Sequence, residues 1–336
     1  VSVFAQLGAL MLLLRIGLHS QITQIFNLRN FVVALLGIAI PFVAGYYFAL
    51  FFGGGETYAL FMGAALTATS VGVTVAVLKE FGVMGEEFSK TILGAAVIDD
   101  ILALLVLSFI VNAPETLDAA SLEPLLRIAG TALVFIVGGI LIGREAIKHA
   151  FAKIGKANEN RAFLLAMAFA FFYAYLAEYV GLSGIVGVFI AGVSLNYSKA
   201  VKGLYDMMTP LEMLFTPIFF ISLGMLIDVG SLASIAVPVI LLSVVAVISK
   251  VVGSGGGALF FGMNRREALA VGMGMVPRGE IALIIALFGI TATTASGEPA
   301  LTAVEYTTIS AMAFLTTLAA PPVLARIIGG VESGQV

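Results

Sequence analysis

No cysteine occurs among the 336 residues, which excludes disulfides, thiolate metal sites and thiol nucleophiles together. Two histidines and a formal net charge of −3 give no sign of a metal cluster or a nucleic-acid surface. Charge of either sign is scarce, at 11% of residues. What fills its place is apolar: 60% of the chain is hydrophobic and the mean hydropathy is +1.11, outside the range of a soluble domain of this length. The chain therefore reads as an integral membrane protein. Its 37 glycines are spread through the apolar stretches, as expected where helices pack closely in lipid and where backbone unwinds around a cavity. The fold class expected is all-α. A charged leader and a small-residue cleavage site are also missing at the start. The first residue is Val1, the tail after Arg326 is a short stub, and no soluble domain is recognisable. The start reads as a truncation, and residues 1–336 as a single transmembrane domain.

A hydrocarbon core of about 30 Å needs roughly 20 apolar residues per helix. That ruler separates eleven segments, at 1–18, 31–52, 58–79, 90–112, 124–143, 162–180, 183–197, 210–228, 233–262, 267–291 and 304–328. The densest basic run, with Arg144, Lys148, Lys153, Lys156 and Arg161, is expected in a cytoplasmic loop. Alternating sides from there puts Lys199, Lys202, Arg265, Arg266 and Arg326 inside, and Glu56, Asp228 and Glu298 outside. An odd count and a cytoplasmic C-terminus follow. The same basic loop divides five segments from six, and each half holds a span with polar residues at its centre beside one with charge at the midplane. This is the trace left by inverted-repeat transporters.

Asp99 and Asp100 lie near the middle of the segment 90–112. Insertion scales put one charge at a helix centre near about +2.5 to +3.5 kcal/mol, so the pair reads as functional rather than as packing polarity. Neighbours on a helix point about 100° apart, so one can face a cavity while the other faces a partner helix. The pair is expected to titrate as one coupled unit. A carboxylate that holds either a dehydrated Na⁺ or Li⁺ or a proton already supplies an exchange mechanism. Lys250, central in the segment 233–262, is too deep to snorkel and needs a partner, for which Asp99 and Asp100 at the same depth are the candidates, in a pair such as Asp99 with Lys250. It reads either as a structural counter-charge or as part of the transport stoichiometry.

Two further segments carry polar residues at the same depth: Thr67-Ala-Thr-Ser-Val-Gly-Val-Thr, and Gly272-Met-Gly-Met-Val-Pro-Arg-Gly-Glu. Pro277 lacks an amide donor, and Gly272, Gly274 and Gly279 ease unwinding, so a broken helix is expected there. Broken helices expose carbonyls that can coordinate a cation. Thr67, Thr69 and Ser70 read either as site residues or as hydroxyls bonded back to their own helix. Arg278 and Glu280 read as a supporting ion pair that neutralises itself or braces the break. His19, Glu178 and Asp228 read as interfacial, and the Gly255–Gly257 run as helix packing, since it lacks the ending of a phosphate loop.

Together with Ile92-Leu-Gly-Ala-Ala-Val-Ile-Asp-Asp and Ile-Ser-Lys-Val-Val-Gly-Ser-Gly-Gly-Gly around Lys250, these strings resemble the monovalent cation:proton antiporter-2 family of the cation/proton antiporter superfamily. The likeness extends over nearly the whole chain. It implies a sodium/proton antiporter-like inverted-repeat fold, with a core part (31–112 and 233–328) in which two broken helices, holding Thr69 and Pro277, cross beside the aspartate helix. Residues 1–30 and 162–228 would form a dimerisation part, linked by 113–161. The resemblance further implies Asp100 as the cation and proton carrier, with Na⁺ there and Asp99 and Thr69 as further ligands, and Asp99 paired with Lys250 when no ion is bound. Asp99 is Gln in the potassium-efflux branch and Asn in electroneutral exchangers, so its presence favours electrogenic exchange of Na⁺ or Li⁺. Relatives usually have thirteen spans, which implies two missing N-terminal helices, and Arg15 and His19 stand where relatives carry an apolar residue and Glu.

The expectation is thus a homodimeric secondary antiporter of the prokaryotic inner membrane, with the monovalent cation, the proton and the lipid bilayer as its partners. No cofactor, enzymatic activity or nucleic acid is expected. A K⁺/H⁺ antiporter or gated K⁺ efflux system is the alternative. An intramembrane aspartyl protease needs its carboxylates facing one another from different helices, which neighbours on one helix do not provide.

Overall fold

The computed structural model describes residues 2–19, 27–111, 122–153, 159–180, 182, 184–197, 201–293 and 299–332. These form fourteen helices: α1 (Ser2–His19), α2 (Leu28–Phe51), α3 (Glu56–Thr67), α4 (Val71–Glu80), α5 (Glu87–Val111), α6 (Leu122–Lys153), α7 (Glu159–Tyr179), α8 (Gly184–Asn196), α9 (Val201–Gly224), α10 (Leu232–Lys250), α11 (Gly256–Phe260), α12 (Arg265–Gly274), α13 (Glu280–Thr291) and α14 (Ala303–Glu332). Among the described residues an isolated bridge between Thr293 and Pro299 takes the place of any strand. With no water inside a bilayer to satisfy peptide groups, helices that close their own hydrogen bonds are what such an apolar chain can form.

Among the described residues, each of the eleven predicted segments contains helix, two of them with an interruption. Seven stretches among the described residues are long and apolar enough to cross a membrane: Leu28–Phe51, Glu56–Glu80, Glu87–Ile110, Gly130–His149, Asn160–Tyr179, Val229–Phe260 and Ala303–Gly329. An eighth is reached if Gly203–Leu211 and Met213–Gly224, bent by 45°, count as one. Val186–Asn196 and Glu280–Thr291 are shorter apolar helices.

Three local expectations are corrected or completed. The segment 58–79, for which the resemblance implied a break near Thr69, is interrupted at Ala68–Ser70, where Ala68 (φ −60°, ψ 144°) and Ser70 (φ −104°, ψ 110°) are extended. Neither Gly nor Pro stands in this break; Thr67, Thr69 and Ser70 carry hydroxyls that compete with the helical ladder. The segment 267–291 is interrupted between Gly274 and Glu280, where Pro277 lacks its amide and disfavours helical backbone at Val276. The basic stretch from Arg144 to Lys153, expected in a loop, is the end of α6. It is rich in helix formers, and Lys148 meets Glu145 at 2.8 Å one turn away.

The chain divides into two compact units, residues 1–22 with 112–225, and 23–111 with 226–336. In the first, α1 packs on α8 and α9, and α8 also on α6 and α7. The helices approach closely through glycine: a Cβ on Gly17 would stand 3.0 Å from the Gly192 Cα, and one on Gly8 would stand 2.6 Å from the Phe215 carbonyl oxygen. Arg15 donates to the Tyr205 hydroxyl at 2.6 and 3.0 Å, and the Asn196 amide donates to the Leu18 carbonyl at the end of α1. The His19 side chain lies outside the described residues.

In the second unit α2 packs against α3, α5, α10 and α11, and α14 against α10, α12 and α13. Val33, Leu78, Phe88, Ile92, Val271 and Leu324 belong to its buried core. Directly after Lys250 the backbone widens into one π turn, Val251–Gly255, a local rearrangement that recurs at functional sites. The glycines here serve packing. A Cβ on Gly257 would be 3.0 Å from the Val33 Cα, and one on Gly272 2.9 Å from the Val251 Cα.

Candidate ion-exchange site

All the chemistry singled out in the sequence lies in the second unit. Asp99 and Asp100 stand midway along α5, and the helical twist separates them. Asp99 is fully buried and accepts from the Lys250 Nζ, at 3.1 Å to Oδ1 and 3.4 Å to Oδ2. The same ammonium donates to the Gly37 carbonyl of α2 at 2.8 Å and the Thr67 carbonyl at the end of α3 at 2.5 Å. Its three protons thus meet three acceptors on three helices. A buried cation removed from water needs this degree of compensation.

Asp100 is half-buried, and no hydrogen bond joins its carboxylate to another described residue. Asp99, Glu280 and Lys250 are the charged groups acting on it. Glu280 opens α13 and accepts from the Ser70 hydroxyl at 3.1 Å, a carboxylate at the amide-rich end of its helix.

Arg278 and Glu280 form no ion pair, contrary to the sequence expectation. The Arg278 guanidinium is buried and donates to three carbonyls: Val276 at 2.8 Å, Leu66 at 2.9 Å and Ala246 at 3.0 Å. The reason is helix polarity. A cation is stabilised against the carbonyl end of α3 and an anion at the start of α13, so the two side chains diverge.

The break after α12 was expected to expose carbonyls. Five consecutive ones are occupied instead. Gly274 accepts from the Thr74 hydroxyl at 2.7 Å, Met275 from the Thr69 hydroxyl at 3.1 Å, Val276 from Arg278, Pro277 from the Ser70 amide at 2.6 Å, and Arg278 from the Thr317 hydroxyl of α14. The two breaks are therefore hydrogen-bonded to one another. Thr69, Ser70, Pro277, Arg278, Asp99, Lys250 and Glu280 share one network. The Thr67 hydroxyl stays on its own helix, donating to Ala64 at 2.7 Å, and Thr67 enters the site through its carbonyl. Among the described residues no three His, Asp or Glu side chains converge as a resident metal site.

Sequence reasoning missed the carbonyls of Gly37, Leu66 and Ala246 because a backbone acceptor leaves no mark on residue type. It also missed Thr317, one of four threonines in the apolar helix α14.

Interrupted apolar helices wrapped around a buried carboxylate–ammonium pair define an ion transporter of the membrane. Residues 1–328 match the transmembrane sodium/hydrogen exchanger family, and the chain belongs to that family. It is a cation/proton antiporter and not an enzyme. The Na⁺/H⁺-K⁺ antiporter GerN of Bacillus cereus is 33% identical over 98% of this chain and 84% of its own length. The high-affinity Na⁺/H⁺ antiporter NhaS3 of Synechocystis is 33% identical over all of this chain and 73% of its own. In fold, the chain resembles the sodium proton antiporter MjNhaP1 of Methanocaldococcus jannaschii at pH 8, with a TM-score of 0.75 and 19% identity over 98% of this chain and 84% of that one.

Proposed function

We propose that the chain exchanges Na⁺ or Li⁺ for protons, electrogenically and by alternating access, with Asp100 as the group that holds either the cation or the proton. The supporting observation is the unequal treatment of two adjacent carboxylates. Asp99 is committed to Lys250, whereas Asp100 has no hydrogen-bond partner among the described residues. A carboxylate without a resident partner can exchange one cation for another, and the bonded neighbour holds the counter-charge in place. In this reading the second unit is the ion-carrying core, in which the two broken helices cross beside α5, and the first unit is the scaffold and homodimer contact. Eleven spans, an inverted repeat, a cytoplasmic C-terminus and an inner-membrane location complete the proposal.

The test uses purified protein in proteoliposomes carrying a preset pH gradient. Addition of Na⁺ should dissipate the gradient, and Asp100→Asn should reduce that flux to the level of protein-free vesicles. Retained Na⁺-dependent proton flux in Asp100→Asn would overturn the assignment. Potassium is the second cation to add, since the relative GerN is a Na⁺/H⁺-K⁺ antiporter. Dissipation by K⁺ with none by Na⁺ or Li⁺ moves the reading to K⁺/H⁺ exchange. A dependence of the rate on membrane potential, set with a permeant ion, tests electrogenicity.

A further inference from the structure

At the α12–α13 break the chain must satisfy peptide groups that the helix no longer pairs. Four of the five carbonyls there receive donors from the two breaks themselves or from the adjoining turn of α4: Thr74, Thr69, Arg278 and Ser70. The fifth position is different. Arg278 has both backbone groups bonded to a single side chain on another helix. Its amide donates to the Thr317 Oγ1 at 3.0 Å, and its carbonyl accepts from the same hydroxyl. One hydroxyl, donor and acceptor at once, replaces both partners the residue loses by leaving the helix.

The position matters because of what Arg278 does with its side chain. From that fixed backbone the guanidinium reaches the carbonyl of Leu66, one residue before Thr67, whose own carbonyl holds the Lys250 ammonium. It also reaches Ala246, one helical turn before Lys250 in α10. A chain of direct bonds therefore runs from Thr317 through Arg278 to α10, which carries Lys250, and to the end of α3, whose Thr67 carbonyl accepts from the Lys250 ammonium.

We propose that Thr317 is a positioning residue for ion exchange: by holding both backbone groups of Arg278 it fixes the break from which the guanidinium locks the ends of α3 and α10 beside the Asp99–Lys250 pair. The exchange part rests on the function proposed above. The latch itself does not.

Thr317→Val keeps the side-chain shape and removes the hydroxyl, and Thr317→Ser keeps the hydroxyl. Two measurements separate the latch from a plain stability effect. The first is hydrogen–deuterium exchange of the peptide spanning 276–279 in the full chain. Its amides should exchange at least about 5-fold faster in Thr317→Val than in wild type, with Thr317→Ser close to wild type. The second is cation-driven proton flux in proteoliposomes. Thr317→Val should raise the apparent KM for Na⁺ by roughly 3- to 10-fold, the range expected when one buried hydrogen-bonding group is removed, with a smaller change in maximal rate and rescue by Thr317→Ser.

Unchanged exchange at 276–279 in Thr317→Val overturns the latch. Faster exchange with an unaltered KM and a proportional loss of rate and thermal midpoint overturns the positioning role and leaves a structural one. If wild type shows no cation-driven flux while exchange at 276–279 still depends on the hydroxyl, the function proposed above fails and the latch stands. Should Thr317→Val not be recovered as folded protein, Thr317→Ala takes its place in each comparison.

Discussion

Both units of the chain bring helices together through glycine, but the second also interrupts its helices and pairs the freed backbone with side-chain donors. In the first, helices meet through bare backbone: Gly17 against Gly192, Gly8 against Phe215, and Gly187 against Tyr173, where an added Cβ would stand within 2.8 Å of the Ala174 Cα. In the second, helices are interrupted and the freed backbone is stitched with side-chain donors, among them a lysine and an arginine, each about as buried as a leucine core. Small residues let continuous helices approach and hold one shape. Interrupted helices with buried charge are costly in lipid unless every group is paired, and they place charge at the middle of the bilayer where an ion must pass. The difference teaches where rigidity is enough and where polar chemistry is needed, in keeping with the proposed division between scaffold and ion-carrying core.

The largest effect is expected where the stitching is densest. Lys250→Ala leaves the Asp99 carboxylate and the carbonyls of Gly37 and Thr67 without their common donor. Removing one member of a buried pair destabilises by about 3–5 kcal/mol. Thermal unfolding in detergent should show a large drop for Lys250→Ala, and Asp99→Asn combined with Lys250→Gln should recover at least half of it, because two neutral polar groups can bond one another. A double variant as unstable as the single one would mean that the backbone carbonyls, and not Asp99, set the value of the lysine.

A smaller effect is expected in the first unit, and of a different kind. Gly17→Val places a branched side chain where even a Cβ would be 3.0 Å from the Gly192 Cα and from the Val193 amide nitrogen. Overpacking of this sort costs about 1–3 kcal/mol. The thermal midpoint should fall while the apparent KM for Na⁺ in the folded fraction remains that of wild type. A shifted KM would break the separation between the units, since it would tie a purely steric change in one to ion affinity set in the other.

What could be read from the sequence follows the same line. The membrane class, the helical positions and the identity of Asp99, Asp100 and Lys250 were legible because a charge within an apolar run is conspicuous and expensive. The break at Pro277 was legible from the missing amide, and an aspartate partner for Lys250 from the need of a deep ammonium for one, with Asp99 singled out by the resemblance. The break at Ala68–Ser70 is not announced by Gly or Pro, and only the resemblance supplied it. Arg278 and Glu280 misled, because residues two apart of opposite charge suggest mutual neutralisation while helix ends of opposite polarity draw them apart. The saturation of the carbonyls from Gly274 to Arg278 lay beyond pattern reading, since it depends on hydroxyls from Thr69, Thr74 and Thr317 arriving in three dimensions.

The smallest expected effect is at the second unit's surface, where Arg29 meets Glu87 at 2.8 Å with the two side chains 27% and 61% exposed. By distance this pair is shorter than Lys250 to Asp99, at 3.1 Å. By consequence it should be far weaker, because water solvates both partners when the contact opens and salt screens them over about 8 Å at physiological ionic strength. Glu87→Gln should leave the thermal midpoint within measurement scatter at 0.15 M salt and leave Na⁺-driven proton flux unchanged, in contrast to the drop expected for Lys250→Ala. Burial, not separation, then ranks the two ion pairs. A loss for Glu87→Gln comparable to that of Lys250→Ala would show instead that the start of α5 must be anchored to α2 for Asp99 and Asp100 to hold their places along that helix.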